Sequence, residues 1–237
     1  AMEHQASGKR YPEGVLEVRR LQRTPFAEVH ELQRELVEQR LRGEIGDVLL
    51  LVEHEPVITL GRGTERADVS QARLPIVEVE RGGEATYHGP GQLVAYPILL
   101  LPEGRRDLHR YLRDLEEVVL RVLAEFDVVG TRRPGLTGVW IGERKVCSIG
   151  VSVRRWVTWH GLALNLDVDL EHFAQFRPCG LDAAVMANVR DFVELPPTRL
   201  LYEVLVVKHL CEVFGLELPP IPPPPPPPPG ELPIYPG

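Results

Sequence analysis

At 237 residues, 43% hydrophobic and 26% charged, the chain has the composition of a globular protein that can bury a sizeable core. A net charge of -7 argues against a general nucleic-acid binder, which presents a basic footprint. Its three cysteines, Cys147, Cys179 and Cys211, are too few and too unpatterned for a disulfide framework, and no Cys-x-x-Cys or His-Glu-x-x-His spacing offers a ready zinc site.

The polar N-terminus lacks a signal-peptide core, and apolar runs such as Leu93–Leu101 are too short to span a bilayer. The expectation is a soluble protein of a reducing, cytoplasmic compartment, with no membrane and no nucleic acid among its partners.

Residues 1–13 read as a flexible start, and Val15, Leu16 and Val18 suggest a first strand. Thr24 is an N-cap candidate with Pro25 at the first helical position; Phe26, Val29, Leu32, Leu36, Val37 and Leu41 then keep helical spacing until Gly43. Val48–Val52 and Val57–Leu60 read as strands. Gly61-Arg62-Gly63-Thr64 superficially suggests a phosphate loop, but it lacks the Gly-Lys-Ser/Thr of a P-loop and a following helix.

The alternating Val77-Glu78-Val79-Glu80 runs into Arg81-Gly82-Gly83-Glu84-Ala85-Thr86-Tyr87-His88-Gly89-Pro90-Gly91-Gln92, and the apolar run from Leu93 leads out. Glycines and a proline let the backbone turn tightly and approach a ligand. A polar, Gly-rich loop with this many side-chain donors, held between two strands, is a frequent address for a binding site. The bland alternative is a hairpin with a decorated turn.

From Leu108, the residues Tyr111, Leu112, Leu115, Val118, Val119, Val122, Leu123 and Phe126 make the clearest amphipathic helix. Short strands follow at Val139–Ile141, Val146–Val153 and Leu162–Val168, with a short helix over 170–176. Thr198 caps a last helix with Leu200, Leu201, Val204, Val207, Cys211 and Phe214 on one stripe and Gly215 closing it. Beyond Leu218 comes a proline-rich tail with eight consecutive prolines, Pro222–Pro229, which fit polyproline II and neither sheet nor helix. Strands joined by short turns, with three separate helices, predict an α+β fold: a mixed, largely antiparallel sheet covered by helices.

Two cysteines compete as nucleophile. Cys179 lies in Pro-Cys-Gly, a loop context that exposes a thiol. Cys147 shares a strand face with Lys145, two residues away. The residues alone divide the choice evenly. Cys211, on a helix stripe, reads as inert core. Lys145, after Gly142-Glu143-Arg144, reads by itself as a surface lysine. His88 is a rival base, since a Cys–His pair is the more familiar arrangement for acyl transfer.

The stretch Arg-Gly-Gly-x-x-Thr-Tyr-His-Gly-Pro-Gly-Gln-x-Val-x-Tyr-Pro resembles the signature of the lipoyl(octanoyl) transferases. Arg144-Lys145-Val146-Cys147-Ser148-Ile149-Gly150 with His160-Gly161-Leu162-Ala163-Leu164-Asn165, and Pro178-Cys179-Gly180, fit the same family in the same order. The resemblance covers about Leu49 to Val189 and implies a fold like that of the biotin and lipoate protein ligase catalytic domains. It makes 14–218 the catalytic domain, between a flexible start at 1–13 and a proline-rich tail at 219–237.

What the resemblance implies is specific. Cys179 matches the acyl-carrying cysteine and Lys145 the catalytic lysine, which leaves Cys147 as a small space-filler. Arg81, Gly82, Gly83, Glu84, Ala85, Thr86, Tyr87 and His88 match substrate-lining positions. So do Ser148, Ile149 and Gly150, and Gly161, Leu162 and Ala163; Leu162 and Ala163 would roof an apolar tunnel. The Gly61–Thr64 turn becomes part of the rim, and Gly150 and Gly180 are places to look for oxyanion donors.

The implied reaction takes an octanoyl group from octanoyl-acyl carrier protein through a cysteine thioester to a lysine of a lipoyl domain, without ATP or metal. Acceptors would be the lipoyl domains of 2-oxoacid dehydrogenase complexes and the glycine cleavage H protein; the enzyme would act as a monomer. Basic pairs such as Arg105-Arg106, Arg132-Arg133, Arg144-Lys145 and Arg154-Arg155 could dock an acidic carrier. The alternatives are an ATP-dependent lipoate- or biotin-type ligase and a non-catalytic acyl-binding adaptor.

Overall fold

The computed structural model describes residues 14–65, 69–70 and 72–220; the Cys179 side chain and the proline run Pro222–Pro229 lie outside the described part. Among the described residues, no helix is long and apolar enough to cross a membrane.

Seven strands form the main sheet: β1 (Glu17–Thr24), β2 (Val48–His54), β6 (Gln92–Ile98), β10 (Val157–Asn165), β9 (Arg144–Arg154), β8 (Leu136–Ile141) and β7 (Thr131–Arg133), in that spatial order. Only the β1–β2 pair among them is parallel, so the sheet is mixed and largely antiparallel. A small sheet pairs β3 (Val57–Leu60) with β4 (Ile76–Glu78) and β5 (Ala85–His88).

Strand alternation decides what each face packs against. Along β2, Leu49 and Leu51 point into one core, while Val48, Leu50 and Val52 point into the other. The first core is closed by α2 (Leu108–Ala124) and α3 (Arg199–Phe214), the second by α1 (Phe26–Leu41). Each fully buried Leu or Val contributes about 1.5–3 kcal/mol against exposure, so this two-sided cover is what holds the central strands rigid. A third cluster, with Ile58, Tyr87, Phe173 and Met186, fixes the small sheet to the coil after β10.

Three local expectations are corrected. The N-cap of α1 is Pro25, one residue later than expected, and the Thr24 hydroxyl donates instead to the Gln22 carbonyl. Residues Ala85–His88, expected within the Gly-rich loop, form a strand because β3 supplies an antiparallel partner. On α3, Val207 and Cys211 are buried but Leu200, Leu201 and Val204 are exposed. Tyr202, Leu205, Val206 and Leu210 take the core-facing side, which the uniformly apolar sequence could not single out.

Candidate active site

A cavity of about 210 Å³ lies between β5 and the middle of β9 and β10. Its lining includes Arg81, Gly83, Glu84, Thr86 and His88 from the Gly-rich stretch, Lys145, Ser148, Ile149 and Gly150 from β9, and Gly161, Leu162 and Ala163 from β10. Gly82, Ala85 and Tyr87 are outside that lining. Alternation along β5 explains the last two: Thr86 and His88 face the cavity, and Ala85 and Tyr87 enter the third hydrophobic cluster.

Lys145 is only 2% exposed, which overturns its reading as a surface lysine. Its position depends on Gly138, whose φ of 134° is in the region that favours glycine. A Cβ there would stand 2.8 Å from Lys145 Cε and 2.5 Å from the Cys147 carbonyl oxygen. The Gly138 N–H donates to Glu116 Oε1 at 3.0 Å, so a fully buried carboxylate of α2 fixes the strand on which the lysine rests. The Lys145 ammonium lies 5.8 Å from the centre of the Trp140 ring.

Cys147 is completely buried in the α2–α3 core, and burial pushes its thiol up to about 12 despite the nearby Lys145 charge. A thiol in that state is not a nucleophile at neutral pH. Cys211 is also buried and raised, to about 11. The Pro178–Gly180 segment is a single 3₁₀ turn. Gly180 has a φ of 67°, and any side chain there would run into the cavity-lining Glu84 carboxylate. The backbone of the Pro-Cys-Gly turn is therefore packed against the rim of the cavity.

The Arg81 guanidinium is held by the Thr59 carbonyl and hydroxyl, both at 2.9 Å, and by the Gly82 carbonyl at 3.1 Å. Gly61 packs directly on the Gly83 carbonyl and this guanidinium, so the Gly61–Thr64 turn does border the site.

Opposite Lys145 the wall is made of neutral imidazoles. His88 Nδ1 is 2.8 Å from Gln92 Oε1, and the Gln92 amide donates to the Tyr87 carbonyl and to Asn165 Oδ1, each at 3.0 Å. With the Gln92 nitrogen so committed, its oxygen must accept, which places the His88 proton on Nδ1 and leaves Nε2 as the acceptor. Asn165 in turn donates to the Ala187 carbonyl at 3.2 Å, and the Ala187 N–H donates to the Lys145 carbonyl at 3.0 Å. One polar chain thus runs from the binding strand to the backbone of the lysine.

Burial, chiefly, pushes His88 down to about 3, His160 to about 2 and His54 to about 4. His54 accepts from the Tyr96 hydroxyl at 2.9 Å, so the cavity meets the Tyr96 ring with its polar tip already satisfied.

Sequence reasoning gave no site role to Phe26, Tyr96 or the segment Gly135–Thr137 and left His160 open between a structural and a functional role; all of them line the cavity. It also left out Gln92 and Asn165, which sit inside the quoted motifs and whose runs of donors were a usable signal. The basic pairs proposed for carrier docking are mostly engaged internally. Arg132 pairs with Glu116 and Glu117, Arg133 with Glu143, and Arg154 with Glu38. Arg105 and Arg106 donate to the Val213 and Leu101 carbonyls.

The fold and this cavity define a catalytic domain of the lipoate and biotin ligase type. The bipartite lipoate protein ligase of Thermoplasma acidophilum superposes with a TM-score of 0.65 at 17% identity, over 88% of this chain and 86% of that one. A biotin protein ligase from Aquifex aeolicus gives 0.54 at 14% identity, over 84% and 70%. The family described as lipoyl protein ligase A/B catalytic domain matches residues 25–210. An octanoyltransferase from a Nostoc species is 47% identical over 201 residues, 82% of this chain and 90% of that protein. The chain belongs to that catalytic-domain family, among its octanoyltransferases, and is an acyltransferase.

Proposed function

We propose that the chain transfers an octanoyl group from octanoyl-acyl carrier protein to a lysine of a lipoyl domain, through a thioester on Cys179. The observation that carries this reading is the meeting, at one cavity, of a buried Lys145, the Arg81 guanidinium and the packed Pro178–Gly180 turn. The cavity is smaller than the roughly 300–1,000 Å³ of sites for drug-sized ligands, which suits a slender acyl chain better than a nucleotide.

In the first half-reaction, Lys145 takes the Cys179 proton and the thiolate attacks the octanoyl carbonyl. The carbon–sulfur bond to the donor breaks, Lys145 returns the proton to the departing thiol, and octanoyl-Cys179 remains. In the second, the lysine amine of the lipoyl domain attacks that thioester and gives up a proton to Lys145, which returns it to the departing Cys179 sulfur. The positive charge of Arg81 and Lys145 favours the thiolate and the developing oxyanion. A thioester donor is already activated, so no step calls for ATP. Ser148–Gly150 and Gly161–Ala163 hold the acyl chain, and His88, neutral and fixed in one tautomer, positions substrate through Nε2.

Residues 14–218 constitute the catalytic domain on this reading, working in the cytoplasm as a monomer. Lipoyl domains of 2-oxoacid dehydrogenase complexes and the glycine cleavage H protein are the acceptors. The test is donor choice. A lipoyl domain incubated with the enzyme should gain an octanoyl amide from octanoyl-carrier protein alone and none from octanoate plus ATP; efficient ATP-dependent modification from octanoate would make the chain a ligase.

A further inference from the structure

The transfer chemistry leaves one cluster in the inner wall unused. His30 of α1, Glu80 immediately before Arg81, and His160 of β10 each bring one ligand-type atom within 4.8 Å of the other two. No local spacing in the chain announces this group, because its members come from α1, the coil after β4, and β10.

His160 is unusual in two independent respects. Its φ of 55° is in the left-handed region, uncommon for a residue other than glycine although histidine enters it more often than most. Its main-chain N–H donates to the buried Gln33 Oε1 at 2.8 Å, and its ring stacks on Trp159 with centroids 4.5 Å apart. Second, its Nε2 is buried with no hydrogen-bond partner, in a residue only 2% exposed. A buried imidazole nitrogen without a partner needs an explanation, and a bound ion is one.

The other two residues are already arranged as donors. His30 Nε2 lies 3.0 Å from Glu80 Oε2, while Arg34 pairs with the second carboxylate oxygen and leaves Oε2 to the imidazole. A second cavity of about 360 Å³, lined by Glu80, Arg34 and Trp159 among others, adjoins the cluster and offers an entry path and water.

We propose that His30, Glu80 and His160 form a binding site for a divalent ion of the zinc class, with water from the adjoining cavity as fourth ligand. Two imidazoles and a carboxylate, with one position left open, form a donor set that zinc uses at bonds of about 2.0–2.2 Å. His30 carries its proton on Nδ1 in the bound form, so that Nε2 and Glu80 Oε2 both face the ion. The Glu80 side chain, 39% exposed, is the ligand free to close the remaining gap. The Arg34 guanidinium on the same carboxylate weakens the site relative to a fully structural zinc centre. The ion would tie α1, the entry to the Arg81 stretch and β10 beside Gly161 into one wall of the acyl cavity. The site is independent of the transfer reading, and either can fail without the other.

The experiment is titration of chelator-stripped full-length protein with zinc chloride, followed by calorimetry and by thermal unfolding. A Cys179→Ser background removes the thiol as a competing ligand, and cobalt(II) in place of zinc reports thiolate ligation by its charge-transfer band. One ion per chain, a raised Tm and no thiolate band are expected. His30→Ala and Glu80→Gln should each weaken binding by at least the roughly 10–100-fold that even an outer-shell partner is worth. His160→Ala should do the same; if it does not fold, His30→Ala on the half-buried helix face carries the test. The absence of saturable binding in the parent protein overturns the proposal, as does binding unchanged in both His30→Ala and Glu80→Gln.

Discussion

On the β8–β9 side of the cavity, Lys145 lies along Gly138 with the buried Glu116 behind it. On the α1 side, His88 and His160 line the cavity, and His54 stands behind Tyr96. Both sides are buried, yet they do opposite things. The histidine side is uncharged throughout the working pH range, because desolvation holds each ring far below its ordinary 6.5. The tautomers of His88 and His54 are fixed by their hydrogen bonds, which gives this side one directed acceptor, His88 Nε2. On the mechanism we propose, proton transfer is left to the lysine side, so that one wall would read the acyl group and the other would perform the chemistry.

The largest effect should follow from breaking the lysine side. Lys145→Ala should slow single-turnover acylation by the roughly 10²–10⁴ typical of a lost general base. An acylation rate within tenfold of the parent enzyme would remove Lys145 from the chemistry.

A smaller effect sharpens the same side without touching a reacting group. Gly138→Ala introduces a Cβ at φ 134° that meets the Lys145 stem and the Cys147 carbonyl. A misplacement of ~1 Å can cost on the order of 10² in rate, and the backbone strain about 1–3 kcal/mol in stability. Acylation rates measured well below the lowered Tm should show the rate loss separately; a normal rate there would mean that Lys145 needs no such support.

The histidine side should reveal itself in stability rather than in rate. Above the ordinary value of 6.5 the rings are neutral folded and unfolded, and their contribution is complete. As pH falls below 6.5 the unfolded chain binds protons that the folded one refuses. Stability is then lost until the folded values of about 4, 3 and 2 for His54, His88 and His160 are reached. The upper limit is about 1.4 kcal/mol per pH unit per ring. Urea midpoints should therefore fall between about pH 6.5 and about pH 5, and His88→Gln should flatten that slope. An unchanged slope in the variant would mean that His88 titrates normally.

Much of this contrast was legible in the chain. The Arg81–Gln92 stretch stands out because so many donors and glycines seldom share one turn, and the three helices follow from apolar spacing that no proline interrupts. Pairing was not legible: nothing local says that β3 will draw Ala85–His88 into a strand. Nor was depth. Lys145 follows a turn-like Gly-Glu-Arg, and it is the way β8 folds back on it, with Gly138 and Trp140 against its stem and ammonium, that buries it. His88 stood out in the chain, but its meeting with His54 and His160 did not, since the three are separated by dozens of residues and converge only where the small sheet meets the main one. On the residues alone Cys147 beside Lys145 looks as reactive as Cys179; the family resemblance favours Cys179, and the α2–α3 core encloses Cys147.

The division of labour rests on Cys179 as the acyl carrier, and one measurement tests it directly: intact mass after mixing the enzyme with octanoyl-carrier protein, without acceptor and without ATP. The parent enzyme and Cys147→Ala should both gain a single octanoyl group, with Cys147→Ala losing only about 1 kcal/mol of stability. Cys179→Ala should gain none. An adduct retained in Cys179→Ala and lost in Cys147→Ala would place the nucleophile on β9 beside Lys145 and contradict the account at its centre.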